Sequence, residues 1–450
     1  MSTVAASVRP PRGLLRILGL AFGIAVVVGH SVGVGIMRTS GPTAGRLGDP
    51  ALIYLVWLSL GIFVLMAANT LAELATAIPK AGGPYVYVRR GFGDYLGFVS
   101  GWGDFGIQSF AIGYLAVASS EFLTQAVPAL AGYEWVAAPG LIIMFAALNS
   151  LGLRTSSTMA QAVSLLKVVM LLVLVVAAFA YSGPQGHPAP TTTLATHSTG
   201  IIAIIVSMQM VLEVYGGFNS ACYFSEEITD PGRTVPRALL YGVLLVIGIY
   251  LAVNAAVLHV LSPADLGASK LAVGDALATL YGPAAGTAVA LVAVVAALGV
   301  LNTAMLLAPR ILYGMSRDGL FMSFGSYVTR QGVPLPALWL SAGSAIAFST
   351  WSGFETLYAA AAFLDTFADL LCNGALFVLR RREPDLPRPY RAFGYPWIPG
   401  IVLGSAAVLL AAFVLGNPRP SLLAVGVLAV TYPLFRLMRR SRPAVSQATL

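Results

Sequence analysis

Apolar runs long enough to cross a lipid bilayer recur along the whole of this chain. A bilayer core about 30 Å thick requires roughly 20 apolar residues per helical span. Such runs lie near 15–37, 51–76, 96–127, 136–153, 158–181, 200–224, 237–261, 283–310, 336–354, 355–379, 397–415 and 420–438. Only 10% of the 450 residues are charged, too few to coat a soluble protein of this length. We therefore expect an all-α polytopic membrane protein with twelve transmembrane helices.

The basic residues predict how these spans are oriented. With a cytoplasmic N-terminus, nearly all of the 26 lysines and arginines fall on the cytoplasmic side. The exceptions are Arg38, Arg46, Lys270 and Arg419 outside, and Lys167 within a span. This asymmetry follows the positive-inside rule, so we expect a multi-pass protein of the cell membrane with both termini cytoplasmic. The same distribution accounts for the net charge of +8, and we expect no nucleic-acid partner.

Two spans carry glycine and polar residues near their middle. These interruptions occupy residues 29–35 in the first span and residues 213–220 in the sixth. Clustered glycines weaken a helix, and unwound backbone at membrane depth must be buried in protein or line a wet cavity. Close helix packing is the alternative, because Gly29 and Gly33 also fit a small-xxx-small interface. Since spans 1 and 6 are equivalent positions of two five-span halves, the pair favours a transporter with inverted repeats.

This interpretation divides the chain into successive segments. They are a cytoplasmic tail at 1–14, a first inverted repeat of helices 1–5 at 15–181, an extracellular loop at 182–199, a second inverted repeat of helices 6–10 at 200–379, a cytoplasmic loop at 380–396, helices 11 and 12 at 397–438, and a cytoplasmic tail at 439–450.

Four motifs resemble those of the amino acid–polyamine–organocation (APC) superfamily. Residues 32–37 resemble its unwound IGSGIF stretch, and residues 73–85 resemble ELAxxxPxxGGxY. Residues 215–219 with 225–238 resemble YxGW…EEIxxPxRxxPRA, and residues 310–319 resemble R…Y…ARDG. The sixth-span block is most similar to L-type and bacterial amino-acid permeases. The resemblance implies the LeuT-type fold, a five-plus-five inverted repeat with broken helices 1 and 6 followed by two C-terminal helices.

The resemblance also implies a substrate site built mainly from backbone atoms. The family holds a substrate carboxylate on N–H groups that correspond to Ser31, Val34 and Gly35. It holds the amino group on carbonyls that correspond to Ser31, Glu213 and Gly216. The expected substrate-binding residues are Ser31, Val32, Gly33, Val34, Gly35, Glu213, Tyr215, Gly216, Gly217 and Phe218.

Ionisable residues inside the spans are candidates for coupling. Lys167 matches a lysine that takes the place of a sodium ion in sodium-independent members of the family, and packing against Asp104 is the alternative. Asp365 and Asp369 are four residues apart and so share one face of the tenth span. They serve either proton coupling or structural hydrogen bonding, since charge facing lipid is costly. The expected coupling residues are Lys167, Asp104, Asp365 and Asp369.

Glu213 is the sharpest departure from the family, because L-type relatives have an aromatic gate at this place. Three roles are open for this partly desolvated carboxylate: it attracts an amine of the substrate, it carries a proton coupled to binding, or it caps its own helix end. At the cytoplasmic membrane edge, Glu73, Glu226, Glu227 and Asp230 are expected to form gate or loop-fixing ion pairs with arginines.

Together these patterns predict a secondary active transporter of amino acids or related amines that works by alternating access. We expect it to be sodium-independent, and either proton-coupled or an exchanger. Its partners are then a small amino-acid or amine substrate, the lipid bilayer and, in the coupled case, protons. A polyamine or organic-amine transporter is the alternative. Histidines with metal-ligand spacing are absent from the sequence, so we expect no metal and no cofactor.

An intramembrane aspartyl protease is a more distant alternative. Residues 101–104 spell the GxGD pattern of that class, and Asp365 could supply the second aspartate. A four-residue match in a glycine-rich chain is weak, and the flanking permease motifs oppose it. We therefore expect no enzymatic activity.

Overall fold

The computed structural model describes residues 19–80, 83–151, 156–181, 200–225, 228–329 and 332–440. Within these ranges the regular secondary structure is helical, without a β-strand. The α-helices are α1 Leu20–Ser31, α2 Val34–Leu47, α3 Pro50–Ala77, α4 Pro84–Phe92, α5 Asp94–Ala126, α6 Glu134–Ser150, α7 Ser156–Ala180, α8 Ile201–Val214, α9 Pro231–Val260, α10 Pro263–Ala268, α11 Ala272–Tyr281, α12 Pro283–Arg317, α13 Leu335–Trp351, α14 Phe354–Arg382, α15 Trp397–Gly416, α16 Pro418–Ala429 and α17 Thr431–Arg440. Three short 3-10 helices occupy Pro128–Leu130, Phe218–Phe224 and Ser323–Ser326.

Long apolar helices dominate this architecture. In the described part of the chain, seven segments have the length and composition to cross a membrane: Pro50–Ala77, Ile201–Tyr223, Pro231–Val260, Pro283–Arg317, Phe354–Arg382, Trp397–Gly416 and Pro418–Met438. Helices α1 and α2 together also have the length and composition to cross a membrane, as one bent span. The all-α, multi-pass character predicted from the sequence is therefore present. Each predicted apolar run overlaps a helix or two consecutive helices, but the count of twelve spans stays a prediction.

Some predicted features lie outside the described residues. They are the N-terminal tail at 1–14, the loop at 182–199, the last residues 441–450, and the two glutamates Glu226 and Glu227.

Both interrupted spans break within the glycine-containing stretches. Helix α1 ends at Ser31, Val32 and Gly33 are non-helical, and α2 starts at Val34 at an angle of 43° to α1. Helix α8 ends at Val214, and the chain enters the 3-10 helix Phe218–Phe224 through Gly217, whose φ of 84° is accessible mainly to glycine. Regular helix is thus lost at both places where glycine weakens it.

The two halves of the chain pack into each other. Helix α5 of the first half lies against α12, α13 and α14 of the second half. Helices α1 and α3 of the first half lie against α9 of the second, and α2 lies against α8 and α10. The two broken segments are therefore brought together in the interior, between α5, α9, α12 and α14.

A buried ion-pair cluster joins α3, α14 and the segment that follows α14. The Glu73 carboxylate accepts hydrogen bonds from Arg380 Nε at 2.9 Å and Nη2 at 2.5 Å, and from the Ala392 N–H at 2.6 Å. Arg388 Nε lies 3.2 Å from Glu73 Oε1. Glu73 therefore holds the segment that follows α14 in place, which is one of the two roles predicted for it. Asp230, by contrast, is exposed and lies 4.0 Å from Arg233.

Candidate functional site

A cavity lies where the two broken segments meet. It has a volume of about 60 Å³ in this structure and is partly open to solvent. The broken segments contribute His30, Ser31, Gly33, Val34, Gly35, Glu213, Val214, Gly216, Gly217, Asn219 and Tyr223. Helices α5, α12 and α14 contribute Asp104, Ile107, Gln108, Ala111, Tyr114, Leu115, Val300, Ala304, Tyr358 and Asp365.

The start of α2 turns unpaired backbone donors toward this cavity. Val34 and Gly35 are the first residues of α2, and the first N–H groups of a helix have no intrahelical acceptor. Both residues line the cavity. The N-terminal end of a helix carries partial positive charge and favours an anion such as a carboxylate. The break in the first span therefore creates a place suited to an acidic group.

Gly35 is closely surrounded. A Cβ atom at this position would overlap the Tyr358 hydroxyl and would lie 3.2 Å from Val214 Cγ1. The two broken segments are thus in contact here, and the absence of a side chain at Gly35 makes room for Tyr358 and Val214 beside the backbone.

Tyr250 of α9 bridges the ends of both broken helices. Its hydroxyl oxygen lies 2.6 Å from the carbonyl oxygen of Ser31 and 2.8 Å from that of Val214. These residues are the last of α1 and of α8, and the hydroxyl has one proton to donate to one carbonyl at a time. The Tyr250 ring is buried and packs edge-on against Trp57 and Tyr215. A rigid aromatic cluster therefore holds the two breaks side by side.

His30 forms a second connection between the breaks. Its Nδ1 lies 2.5 Å from Ser220 Oγ, and the Ser220 hydroxyl donates to the carbonyl of Gly217. A Cβ at Gly217 would lie 2.9 Å from His30 Cγ. His30 lines the cavity, and its imidazole contacts the turn that starts the 3-10 helix.

The Glu213 carboxylate faces the cavity with one oxygen unsatisfied. Oε1 accepts a hydrogen bond from the Tyr114 hydroxyl at 3.2 Å. Oε2 is buried and has no described donor, and the Asp365 carboxyl lies within hydrogen-bonding reach of Glu213. The Tyr215 and Gly216 N–H groups donate to helix carbonyls instead. Within the described residues, no hydrogen bond connects a backbone N–H to the Glu213 carboxylate, so the geometry does not match the helix-capping role.

The predicted coupling residues do not form one cluster. Lys167 Nζ donates to the carbonyl of Gly29 at 2.8 Å, whereas Asp104 Oδ2 accepts from the Tyr223 hydroxyl at 2.9 Å. No ion pair joins Lys167 to Asp104 in the described structure, which opposes the packing alternative for this lysine. Asp365 lines the cavity. Asp369 lies one helical turn farther along α14 and is not part of the lining.

Three of the predicted substrate-binding residues lie outside the lining. Val32 is fully buried in the core, Tyr215 donates to the carbonyl of Trp57 at 2.9 Å, and Phe218 is buried at the start of the 3-10 helix. The remaining predicted residues, namely Ser31, Gly33, Val34, Gly35, Glu213, Gly216 and Gly217, line the cavity.

Sequence reasoning named Asp104 of α5 and Asp365 of α14 but missed the other polar side chains that these helices supply, namely Gln108, Tyr114 and Tyr358. Asp104, Gln108, Ala111 and Leu115 follow the helical spacing i, i+4, i+7, i+11 and all line the cavity. Starting from Asp104, that spacing could have identified Gln108 as a lining residue. The role of Tyr250 has no comparable signal, because its partners lie far away in the sequence.

Aromatic rings connect the cavity to an ion-pair cluster. Arg38 Nε bonds to Glu121 Oε2 at 3.1 Å, and the Arg38 guanidinium lies 5.1 Å from the centre of the Phe354 ring. Phe354 stacks on Tyr358 at a centroid distance of 4.9 Å. Tyr114, the donor to Glu213, packs edge-on against Tyr358 at 4.8 Å. A continuous path of contacts thus runs from Arg38 to Glu213.

Comparison with known proteins agrees with this architecture. The model of the amino acid permease family matches residues 18–434. The chain is 23% identical to the serine/threonine exchanger SteT of Bacillus subtilis (strain 168) over 436 residues, covering 96% of this chain and 98% of that protein. It is 26% identical to b(0,+)-type amino acid transporter 1 of Mus musculus over 421 residues, covering 90% and 84%. It is 25% identical to large neutral amino acids transporter small subunit 2 of Homo sapiens over 391 residues, covering 84% and 72%.

The family match covers most of the chain, including both helix breaks and every cavity-lining residue. This chain therefore belongs to the amino acid permease family.

Proposed function

We propose that this protein is a secondary active transporter that carries amino acids or related amines across the cell membrane by alternating access. The observation that carries the proposal is the meeting of two broken helices at one polar cavity. Helix breaks at equivalent places of two halves are typical of transporter sites near the bilayer midplane. The relatives named above are amino acid transporters and an exchanger, which supports the same function.

The proposed architecture has twelve spans. Two inverted five-span repeats cover 15–181 and 200–379, helices 11 and 12 follow at 397–438, and both termini are cytoplasmic. The packing of α1 and α3 on α9, and of α5 on α12 and α14, supports this division, because each half completes the interior of the other.

The backbone around the cavity suits a zwitterion. The free N–H groups of Val34 and Gly35 at the positive end of α2 would hold the substrate α-carboxylate. Carbonyl groups of Ser31, Glu213 and Gly216, at the ends of the broken helices, would hold the α-ammonium. Since these contacts use main-chain atoms, they recognise the part that all α-amino acids share and leave side-chain selection to other residues.

We propose sodium-independent transport, with Lys167 as the fixed positive charge. Lys167 is 1% exposed, and its ammonium bonds to the carbonyl of Gly29 in the last turn of α1. An ammonium beside the break would perform the electrostatic role that a bound cation performs. Asp104, Asp365 and Asp369 make protons the candidate coupling ion, with exchange of one substrate for another as the alternative.

A polyamine or organic-amine transporter is the second candidate. The cavity lining contains three carboxyl groups and neither lysine nor arginine, which favours cationic ligands. An aspartyl protease is a poorer candidate, since Asp104 is engaged by Tyr223 and the relatives are transporters. In the described part of the chain, no three or more His, Cys, Asp or Glu residues are arranged to hold a metal ion.

Uptake by purified protein in liposomes tests this function. The expected result is saturable accumulation of labelled amino acids above protein-free liposomes, unchanged when choline replaces sodium. Preloading with unlabelled substrate separates exchange from net uptake, and an inward proton gradient reveals proton coupling. Accumulation of putrescine but no amino acid would favour the second candidate. If no amino acid or amine accumulates, the proposed function is wrong.

A further inference from the structure

Gln108, Glu213 and Asp365 of the cavity lining are here called the acidic wall. Two of these side chains have a hydrogen-bond acceptor without a described donor. Gln108 of α5 is 8% exposed, lines the cavity, and its Oε1 has no described donor. Glu213 at the end of α8 is 7% exposed, and its Oε2 is equally unsatisfied. A buried acceptor without a partner destabilises the site, because it has lost its hydrogen bonds to water. The arrangement therefore favours a ligand that brings donors to this wall.

Asp365 adds a second carboxyl group to the same wall. It lines the cavity from α14 and lies within hydrogen-bonding reach of Glu213. A Cβ at Gly216 would lie 3.8 Å from Asp365 Oδ2, so this carboxyl lies against the break that follows Glu213. The two carboxyl groups are close to the main-chain site and not in a separate chamber.

The cavity lining contains no lysine or arginine that could neutralise Glu213 and Asp365. Asp104 of the lining accepts from Tyr223 and His30 is paired with Ser220, whereas the Tyr114 hydroxyl donates to Glu213 Oε1. Lys167 donates to the Gly29 carbonyl and is not part of the lining. No ion pair to Glu213 or Asp365 occurs among the described residues. A positively charged ligand would supply the missing counter-charge.

We propose that Glu213, Asp365 and Gln108 form a subsite for the side-chain ammonium of a diamino acid. An ammonium has three donors, which match Glu213 Oε2, a carboxyl oxygen of Asp365 and Gln108 Oε1. The substrate class is then α-amino acids that carry a primary amine at the end of the side chain. This proposal rests on the proposed function, because the α-amino and α-carboxylate groups occupy the broken helices.

Substrate pairs that differ only at the end of the side chain test whether the protein recognises the side-chain ammonium. Ornithine and norleucine have the same number of side-chain heavy atoms and differ by ammonium against methyl, as do 2,4-diaminobutyrate and norvaline, or lysine and 2-aminoheptanoate. In liposomes containing the full-length protein, we expect one diamino acid to have a KM at least about tenfold below that of its methyl analogue. The three pairs also identify the chain length that spans the distance between the broken helices and the acidic wall.

Substitutions at the wall should remove the preference for the ammonium over the methyl group, whatever they do to the rate of uptake. Glu213→Gln and Asp365→Asn keep the shape and remove the charge, so the ratio of the two KM values should fall toward one. Thermal unfolding of the purified variants checks that they fold. Asp385→Asn, an exposed carboxylate outside the cavity, is the matched control and should leave the ratio unchanged.

The outcomes separate this proposal from the proposed function. Equal KM values within every pair in the wild type, or an undiminished preference in both charge-removing variants, overturns the subsite while amino-acid transport stands. In a further outcome, uptake by a variant no longer responds to pH, but the variant still prefers the diamino acid over its methyl analogue. Glu213 and Asp365 would then carry coupled protons, and the subsite would likewise be overturned. Absence of uptake for the whole panel overturns the proposed function and the subsite with it.

Discussion

The ammonium of Lys167 lies 2.8 Å from the carbonyl oxygen of Gly29. Gly29 is in the last turn of α1, where backbone carbonyls lose their helical donors. The lysine side chain is almost completely buried, and charge at this depth requires a specific partner. Here the partner is the broken helix itself, so the lysine is directly connected to the segment that lines the cavity.

The first prediction concerns this contact. Lys167→Ala should abolish most transport, because the carbonyl end of α1 loses its donor and the break loses its positive charge. Replacing sodium with choline should leave wild-type uptake unchanged. Lys80→Ala, which removes an exposed lysine, is the control and should transport normally. Loss of wild-type uptake in choline would show that a sodium ion, and not Lys167, supplies the charge.

The second prediction concerns the close surroundings of Gly35. Gly35→Val should abolish uptake, since the new side chain would overlap the Tyr358 hydroxyl and approach Val214, displacing the backbone that we propose holds the carboxylate. Gly343→Val is the matched control, because a Cβ there has no neighbour within 4 Å. Uptake rates are measured at equal protein amounts in liposomes. Normal transport by Gly35→Val would exclude this backbone from substrate binding.

The third prediction concerns the ion pair at the start of the aromatic path. Arg38 and Glu121 are largely buried, and Arg38 also covers Phe354. A double-mutant cycle of Arg38→Gln and Glu121→Gln, read as unfolding free energy, should show a coupling of about 1–3 kcal/mol. Arg46 and Glu355 are more exposed, so the same cycle should give less than about 1 kcal/mol. Equal coupling energies for the two pairs would show that the buried Arg38–Glu121 pair contributes no more to stability than the exposed one.

The fourth prediction concerns the Glu73 cluster. Glu73→Gln should lower the free energy of unfolding by about 3–5 kcal/mol, because Arg380 and Arg388 would keep buried charge without a counter-ion. Glu383→Gln breaks a more exposed pair with Arg90 and should cost less than about 1 kcal/mol. Denaturant unfolding in detergent compares the two variants. A similar small loss for both would mean that the buried pair contributes little.

The fifth prediction is a dependence of stability on pH at the loop after α14. Hydrogen bonds from Arg90 lower the pKa of Glu383 below its ordinary value of 4.5. A lowered pKa in the folded state stabilises the protein above the unfolded value, and this contribution is lost as the pH falls through the folded value. The Tm difference between wild type and Glu383→Gln should therefore be constant from pH 7 to pH 5 and should shrink below pH 4.5. A difference that does not change with acidification would contradict this.

Local sequence determined the helices and the places where they break. Runs of about twenty apolar residues require helices in lipid, because unpaired backbone groups are costly there. The glycines at 29–35 and 213–220 predicted the two interruptions, since conformational freedom is a property of the residue itself. The acidic residues of α5 and α14 were recognisable as interior groups for a similar reason, because the cost of exposing charge to lipid does not depend on the fold.

Only the tertiary structure decided which groups meet. Sequence offered Asp104 as one partner of Lys167 and did not reveal the Gly29 carbonyl, nor that Tyr250 joins Ser31 to Val214. It also assigned Val32 to the site, whereas the backbone turns this side chain into the core. Hydropathy and helical spacing describe neighbours within a few turns of one helix. Contacts across the cavity depend on how distant helices pack, and that packing is a property of the whole chain.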